Sequence, residues 1–327
     1  MNNTYPGLTE TQREIENHRK ILTQYYKHQE KNGNQGVTKR VSSRIESFKS
    51  RLAWFLLEAG EYREGLRLYR ELSWKTYGEE KYIGISRALI ELGEYHEADR
   101  LLARGLNRFP ESGALLVARG LLYRRLGDEF KALKNFQGAL ALIPDDSHAL
   151  YDKAISLNAL GYYNEAAAIL KDLVEKYPDD PEYLVEMGHS MIEQGYPRDA
   201  AENYLKAKDM VFESPALYGG LYCAYMDLGM KDEALEVATE GLQKLPDEHP
   251  GLYANLGEIY REMGWRDDAI ETLNKGLEKF PDDGDLKELL REIDDEDNDP
   301  DLNNKLRLTG LFMLFSELLK KLPGNRR

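Results

Sequence analysis

Seven glycines stand almost equally far apart along the chain: Gly60, Gly93, Gly127, Gly161, Gly195, Gly229 and Gly264, with gaps of 33, 34, 34, 34, 34 and 35 residues. Five residues after each comes Gly65, Ala98, Ala132, Ala166, Ala200, Ala234 or Ala269. Seven before each stands Ala53, Ser86, Gly120, Ala154, Gly188 or Gly257, and Tyr222 alone breaks the small-residue rule. Seventeen after comes Pro110, Pro144, Pro178, Pro246 or Pro281, with Tyr77 and Phe212 in the two remaining copies. A period held in four columns over seven copies restricts the chain to a stack of like units, each covering its neighbour's apolar face.

Each column has a physical cause. The glycine follows about four turns of helical pattern and supplies the left-handed conformation that ends a helix. The small residues at −7 and +5 fall where two helices approach most closely. Large apolar residues at −4 and +9, such as Tyr123 with Phe136 and Tyr260 with Leu273, fill the seam between them. Proline at +17 stops the second helix. Asp145-Asp146, Asp179-Asp180 or Asp282-Asp283 behind it caps the next.

This pattern resembles the tetratricopeptide repeat family. Two copies carry it most fully: Tyr253-x2-Leu256-Gly257-x2-Tyr260 with Ala269, Leu273 and Pro281, and Gly120-x2-Tyr123 with Ala132, Phe136 and Pro144. The resemblance covers about residues 46–283 and divides into copies at 46–78, 79–112, 113–146, 147–180, 181–214, 215–249 and 250–283. It implies an all-α fold, a right-handed superhelical solenoid of antiparallel helix pairs with a concave groove lined by the first helix of each pair. The groove positions hold Trp54, Ile83, Arg87, Ile90, Val117, Leu121, Arg124, Tyr151, Ile155 and Asn158, and further along Val185, His189, Ile192, Cys223, Met226, Glu258 and Arg261. That is an apolar trough with a few cations, suited to an amphipathic helix or an extended peptide. The Lys/Asn pattern with which chaperone-binding relatives clamp a terminal carboxylate is missing. Two copies depart from the family. The first has Gly65 for alanine and no proline, which predicts loose packing there. In the fifth, Pro197 opens the second helix, where proline is tolerated.

The ends lie outside the repeats. Residues 1–45 read as a helix over Thr9–Glu30 and a hinge at Asn32–Gly36. The helix is opened by the capping box Thr9-x-x-Gln12, with Ile15, Ile21, Leu22, Tyr25 and Tyr26 on one side. Residues 284–294 read as a capping helix with Leu286, Leu289, Leu290 and Ile293 on one face, and 295–302 as an extended acidic linker. Residues 303–327 follow as an amphipathic helix and basic tail, with Leu308, Leu311, Phe312, Phe315, Leu318 and Leu322 forming a contact face.

Charge and chemistry narrow the function. Residues 46–301 hold 30 Lys/Arg against 53 Asp/Glu, while 1–45 and 302–327 carry +4 and +5. So acidic a body repels phosphate backbones, which argues against nucleic acid as a partner. No apolar run reaches the length of a membrane span. No metal-ligand spacing, phosphate loop or nucleophile elbow occurs among the six histidines and one cysteine, so neither a metal nor a cofactor is expected. His189 and Cys223 share a repeat position 34 residues apart, and a Cys–His nucleophile is weaker here than a plain groove-lining role. The sequence therefore predicts a non-enzymatic, cytoplasmic scaffold that binds protein or peptide partners. It leaves open self-association, contact of 303–327 with a membrane surface as in an assembly factor, and a regulatory-subunit role beside a catalytic partner.

Overall fold

The computed structural model describes residues 6–32 and 39–298, and among these every regular element is a helix. The chain forms two compact units, residues 1–169 and 170–327. The first holds α1 (Pro6–Asn32), α2 (Lys39–Glu58), α3 (Tyr62–Glu71), α4 (Gly78–Glu91), α5 (Tyr95–Arg108), α6 (Gly113–Arg125), α7 (Glu129–Leu142) and α8 (Ser147–Ala159). The boundary falls inside α9 (Tyr163–Lys176). The second unit continues with α10 (Pro181–Glu193), α11 (Pro197–Asp209), α12 (Pro215–Asp227), α13 (Lys231–Lys244), α14 (Pro250–Glu262), α15 (Arg266–Lys279) and α16 (Gly284–Asn298).

Each of the seven glycines lies two residues beyond the first helix of its pair, at φ between +71° and +80°. The residue after it donates its N–H back to a carbonyl five positions earlier, as in Glu61 to Leu56 (2.8 Å) and Trp265 to Tyr260 (2.8 Å). This is the Schellman closure, and it recovers carbonyls that a helix end would leave unpaired. The aspartates after proline cap the following helices: Asp146 accepts from the N–H of His148 and Ala149, Asp180 from Glu182, and Asp283 from Leu286.

Inside each pair the −7 and +9 residues match in volume. A Cβ on Gly188 would meet Tyr204 at 2.7 Å, and one on Gly257 would meet Leu273 at 2.6 Å; Phe136 crowds Gly120 in the same way. Tyr222, the exception at −7, has Ala238 at +9 in its own copy, and both are buried in one core cluster. The sizes are exchanged and the packed volume is kept, as close packing demands.

The first copy is not loose. A Cβ on Gly65 would lie 2.8 Å from Leu57 Cδ2, so glycine is what lets Leu57 fill the seam. Helix α3 has 10 residues where α5 has 14. Lys81, buried at 1% exposure, closes its end by donating to the carbonyls of Arg70 (2.9 Å) and Leu72 (2.6 Å).

At the N-terminus α1 starts at Pro6, ahead of the Thr9 capping box, because proline fits the first turn without losing a hydrogen bond. Ile15, His18 and Leu22 are its buried face, and Ile15 and Leu22 join the core of the first unit. Tyr26 is exposed, and the hinge at 33–36 lies outside the described residues. Helix α2 begins at Lys39, before the repeat start at 46. Helix α16 runs to Asn298, into the acidic run read as an extended linker. The apolar spacing ends at Ile293, while the helical backbone continues to Asn298.

Candidate functional site

The candidate groove positions lie on the first helices of the pairs, but in unequal environments. Trp54 (49% exposed), Arg87, Leu121, His189 and Cys223 are exposed. Ile83, Val117, Arg124, Tyr151, Ile155, Ile192, Met226, Glu258 and Arg261 are half-buried. Ile90, Asn158 and Val185 are buried in the packing and offer nothing to a ligand.

The three groove cations are paired within the chain. Arg87 Nη1 pairs with Glu58 at 2.6 Å, Arg124 with Asp152 at 2.6 Å, and Arg261 with Glu292 at 2.5 Å. Each bond joins the first helix of one copy to a neighbouring helix one repeat away, α4 to α2, α6 to α8 and α14 to α16. Glu258 accepts likewise from the Tyr222 hydroxyl at 3.1 Å. These side chains tie repeat to repeat.

The surroundings of Cys223 do not favour a thiolate. Partial desolvation of this exposed residue's sulfur, and then Asp227, Glu258 and Glu193, push its thiol pKa up. Among the described residues no cluster of His, Cys, Asp and Glu could hold a metal ion, and no helix is long and apolar enough to cross a membrane. The C-terminal contact face at Leu308, Leu311, Phe312, Phe315, Leu318 and Leu322 lies outside the described residues.

A cleft of about 930 Å³ opens in the first unit. Helices α1 and α4 both pack on α2 and not on each other, and the cleft is bounded by all three. Trp54, Ile83 and Arg87 line it, together with Glu14 and His18 of α1, Phe55 of α2, Tyr69 of α3 and Tyr77 to Glu80 at the start of α4. Trp54 and Phe55 stack edge-on at 5.1 Å. His18 is 6% exposed and sits 5.4 and 5.8 Å from the rings of Phe48 and Phe55. Its Nδ1 lies 2.8 Å from the main-chain oxygen of Glu14, while its buried Nε2 has no partner. Glu80 accepts from the Ser50 hydroxyl, and Glu79 from Ser112 at 2.5 Å. Burial first, then Glu80 and other nearby charges, hold the Tyr69 phenol above its ordinary range; burial, then Glu46 and Glu80, do the same for Tyr77.

The α1 wall was missed in the sequence because α1 lies outside the repeat register. The available signal was His18 at helical spacing between Ile15 and Leu22, a polar residue on an apolar face.

The tetratricopeptide repeat family model matches residues 126–184 and 225–293. These two stretches are tetratricopeptide repeats. The chain is 28% identical to tetratricopeptide repeat protein 7B of Homo sapiens over 187 residues, 57% of this chain and 21% of that protein. It is 31% identical to a TPR repeat-containing protein of Pseudomonas aeruginosa over 161 residues, 46% of this chain and 26% of the other. The repeat chain thus spans only 21% and 26% of the length of these two curated relatives. Among solved structures, the APC/C hetero-tetramer Cut9-Hcn1 aligns over 75% of this chain and 48% of the other, with a TM-score of 0.63 at 18% identity; this is likeness of fold.

Proposed function

We propose that this repeat protein is a non-catalytic cytoplasmic scaffold that holds a peptide segment of another protein in the cleft bounded by α1, α2 and α4. The observation that carries the reading is the cleft itself. At about 930 Å³ it is at the upper end of the range of ligand sites, and it presents Trp54 to solvent beside Phe55 and Ile83. An exposed indole in a concave apolar setting is the side chain that most often anchors a protein contact. The rest of the array serves as a frame, since its interhelical ion pairs and Schellman closures fix where the first helices stand.

Random-peptide phage display on the full chain tests this. Selected peptides should lose at least about tenfold in affinity when Trp54→Ala removes the anchor, with far-UV circular dichroism unchanged. Failure to select peptides, or selected peptides that bind Trp54→Ala as tightly as the unaltered chain, would reject the cleft as the binding site.

A further inference from the structure

We infer that the cleft selects peptides that place a lysine or arginine beside a large apolar side chain. The inference rests on the peptide-binding reading above and assigns the chemistry of its occupant.

The charge of the lining points to a cationic side chain. His18 adds no preference of its own: its Nδ1 lies 2.8 Å from the main-chain oxygen of Glu14 and 3.4 Å from that residue's carboxylate, and its Nε2 is buried.

Glu14, Glu79 and Glu80 face the cleft against Arg51 and Arg87. Arg87 is already neutralised by Glu58 at 2.6 Å, which leaves Arg51 against three carboxylates. Ser50 and Ser112 each donate to one of them, and a serine hydroxyl orients a carboxylate without cancelling its charge. Burial is the main cause that holds the phenols of Tyr69 and Tyr77 protonated, and Glu80 adds to it at both.

An acidic or neutral peptide would leave this charge uncompensated. A basic side chain answers it, while its apolar neighbour covers Trp54, Phe55 and Ile83. Ammonium and guanidinium groups also sit favourably over an indole face.

The test uses the full chain and three fluorescein-labelled peptide pools. Each pool has a fixed central Trp or Leu and randomised outer positions, and they differ only in flanks of Lys/Arg, Gln or Glu. Anisotropy should show the basic pool binding at least about tenfold more tightly than the acidic one, with the gap narrowing as salt rises. In a Glu14→Gln/Glu79→Gln/Glu80→Gln variant, which keeps the serine hydrogen bonds, the preference should fall to within about threefold. If all pools bind alike and Trp54→Ala weakens them together, the cationic preference is overturned while the peptide site stands. If none binds, both readings fall. A basic preference that survives in the triple variant would also overturn the assignment, since the charge would then be read elsewhere.

Discussion

Tyr204 lies across Gly188 so closely that a Cβ on that glycine would sit 2.7 Å from the ring's Cζ. Alanine is the better helix former by about 1 kcal/mol, so Gly188→Ala would stabilise an isolated α10. In the folded repeat the ring has no room to retreat, because it also fills the space over Gly220 in the next pair. Overpacking then wins, and Gly188→Ala should cost about 1–3 kcal/mol in a urea titration. The double variant Gly188→Ala/Tyr204→Leu should recover part of that loss. An unchanged midpoint for Gly188→Ala would show that the seam is not close-packed here.

The pairing of Arg124 with Asp152 gives a pH-dependent expectation. Burial raises the carboxyl pKa of Asp152, and Arg124 at 2.6 Å only partly opposes it. A raised folded-state value means that the folded chain binds more protons than the unfolded one across the window above the ordinary carboxyl range. This group's contribution to stability therefore falls as pH rises through that window. Arg124→Ala removes the opposing charge and widens the window upward. The variant should lose about 2 kcal/mol at neutral pH, where Asp152 is left half-buried and unpaired. It should lose little near about pH 3, where the acid is protonated in both states. Melts of both proteins at the two pH values check this, and an equal loss at each would mean that charge does not hold α6 to α8.

These two cases show what the sequence could and could not carry. The glycine column was legible because a left-handed residue two places past a helix is a local demand on the backbone, the same in every copy. The size pairing at −7 and +9 was half legible: Tyr222 is an exception within its own column, and its burial in one cluster with Ala238 is a fact of the fold. The pairing of Arg87 and Arg124 was hidden, since each partner lies a repeat away on another helix, Glu58 29 and Asp152 28 residues distant. Opposite charges spaced about one repeat apart were the signal available. The α1 wall of the cleft was the least legible part, because nothing periodic ties Glu14 and His18 to α4.

Lys81 should matter more than a surface lysine. Its ammonium donates to two main-chain oxygens at the C-terminal end of α3 and stands 4.3 Å from the centroid of the Trp74 ring. Lys81→Met keeps the buried stem and removes the donor, leaving the carbonyls of Arg70 and Leu72 unpaired. The expected cost is about 1–3 kcal/mol. In a stacked array the damage should stay local. Hydrogen exchange should accelerate in α3 and α4 while α12 to α15 keep their protection. Uniform acceleration along the chain would contradict the local role.

Val211 is the counterpart of the seven glycines. Among the described residues it is the one non-glycine at positive φ, at 59°, just past the end of α11 in a copy that lacks the usual proline. A β-branched side chain is poorly suited to that conformation, which costs an L-residue about 1–2 kcal/mol. Its side chain is 73% exposed and contributes little packing in return. Val211→Gly removes the strain, at an entropic cost in the unfolded chain of about 0.5–1 kcal/mol. The balance favours the variant, and its urea midpoint should rise by the equivalent of about 0.5–1 kcal/mol. Gly161→Ala is the mirror experiment. Its φ is +79° with no atom within 4 Å of the added carbon, so any loss is purely conformational and should reach about 1 kcal/mol. Opposite signs for the two substitutions would show that the helix ends are governed by backbone handedness. A destabilised Val211→Gly would mean instead that the valine side chain holds the turn between α11 and α12.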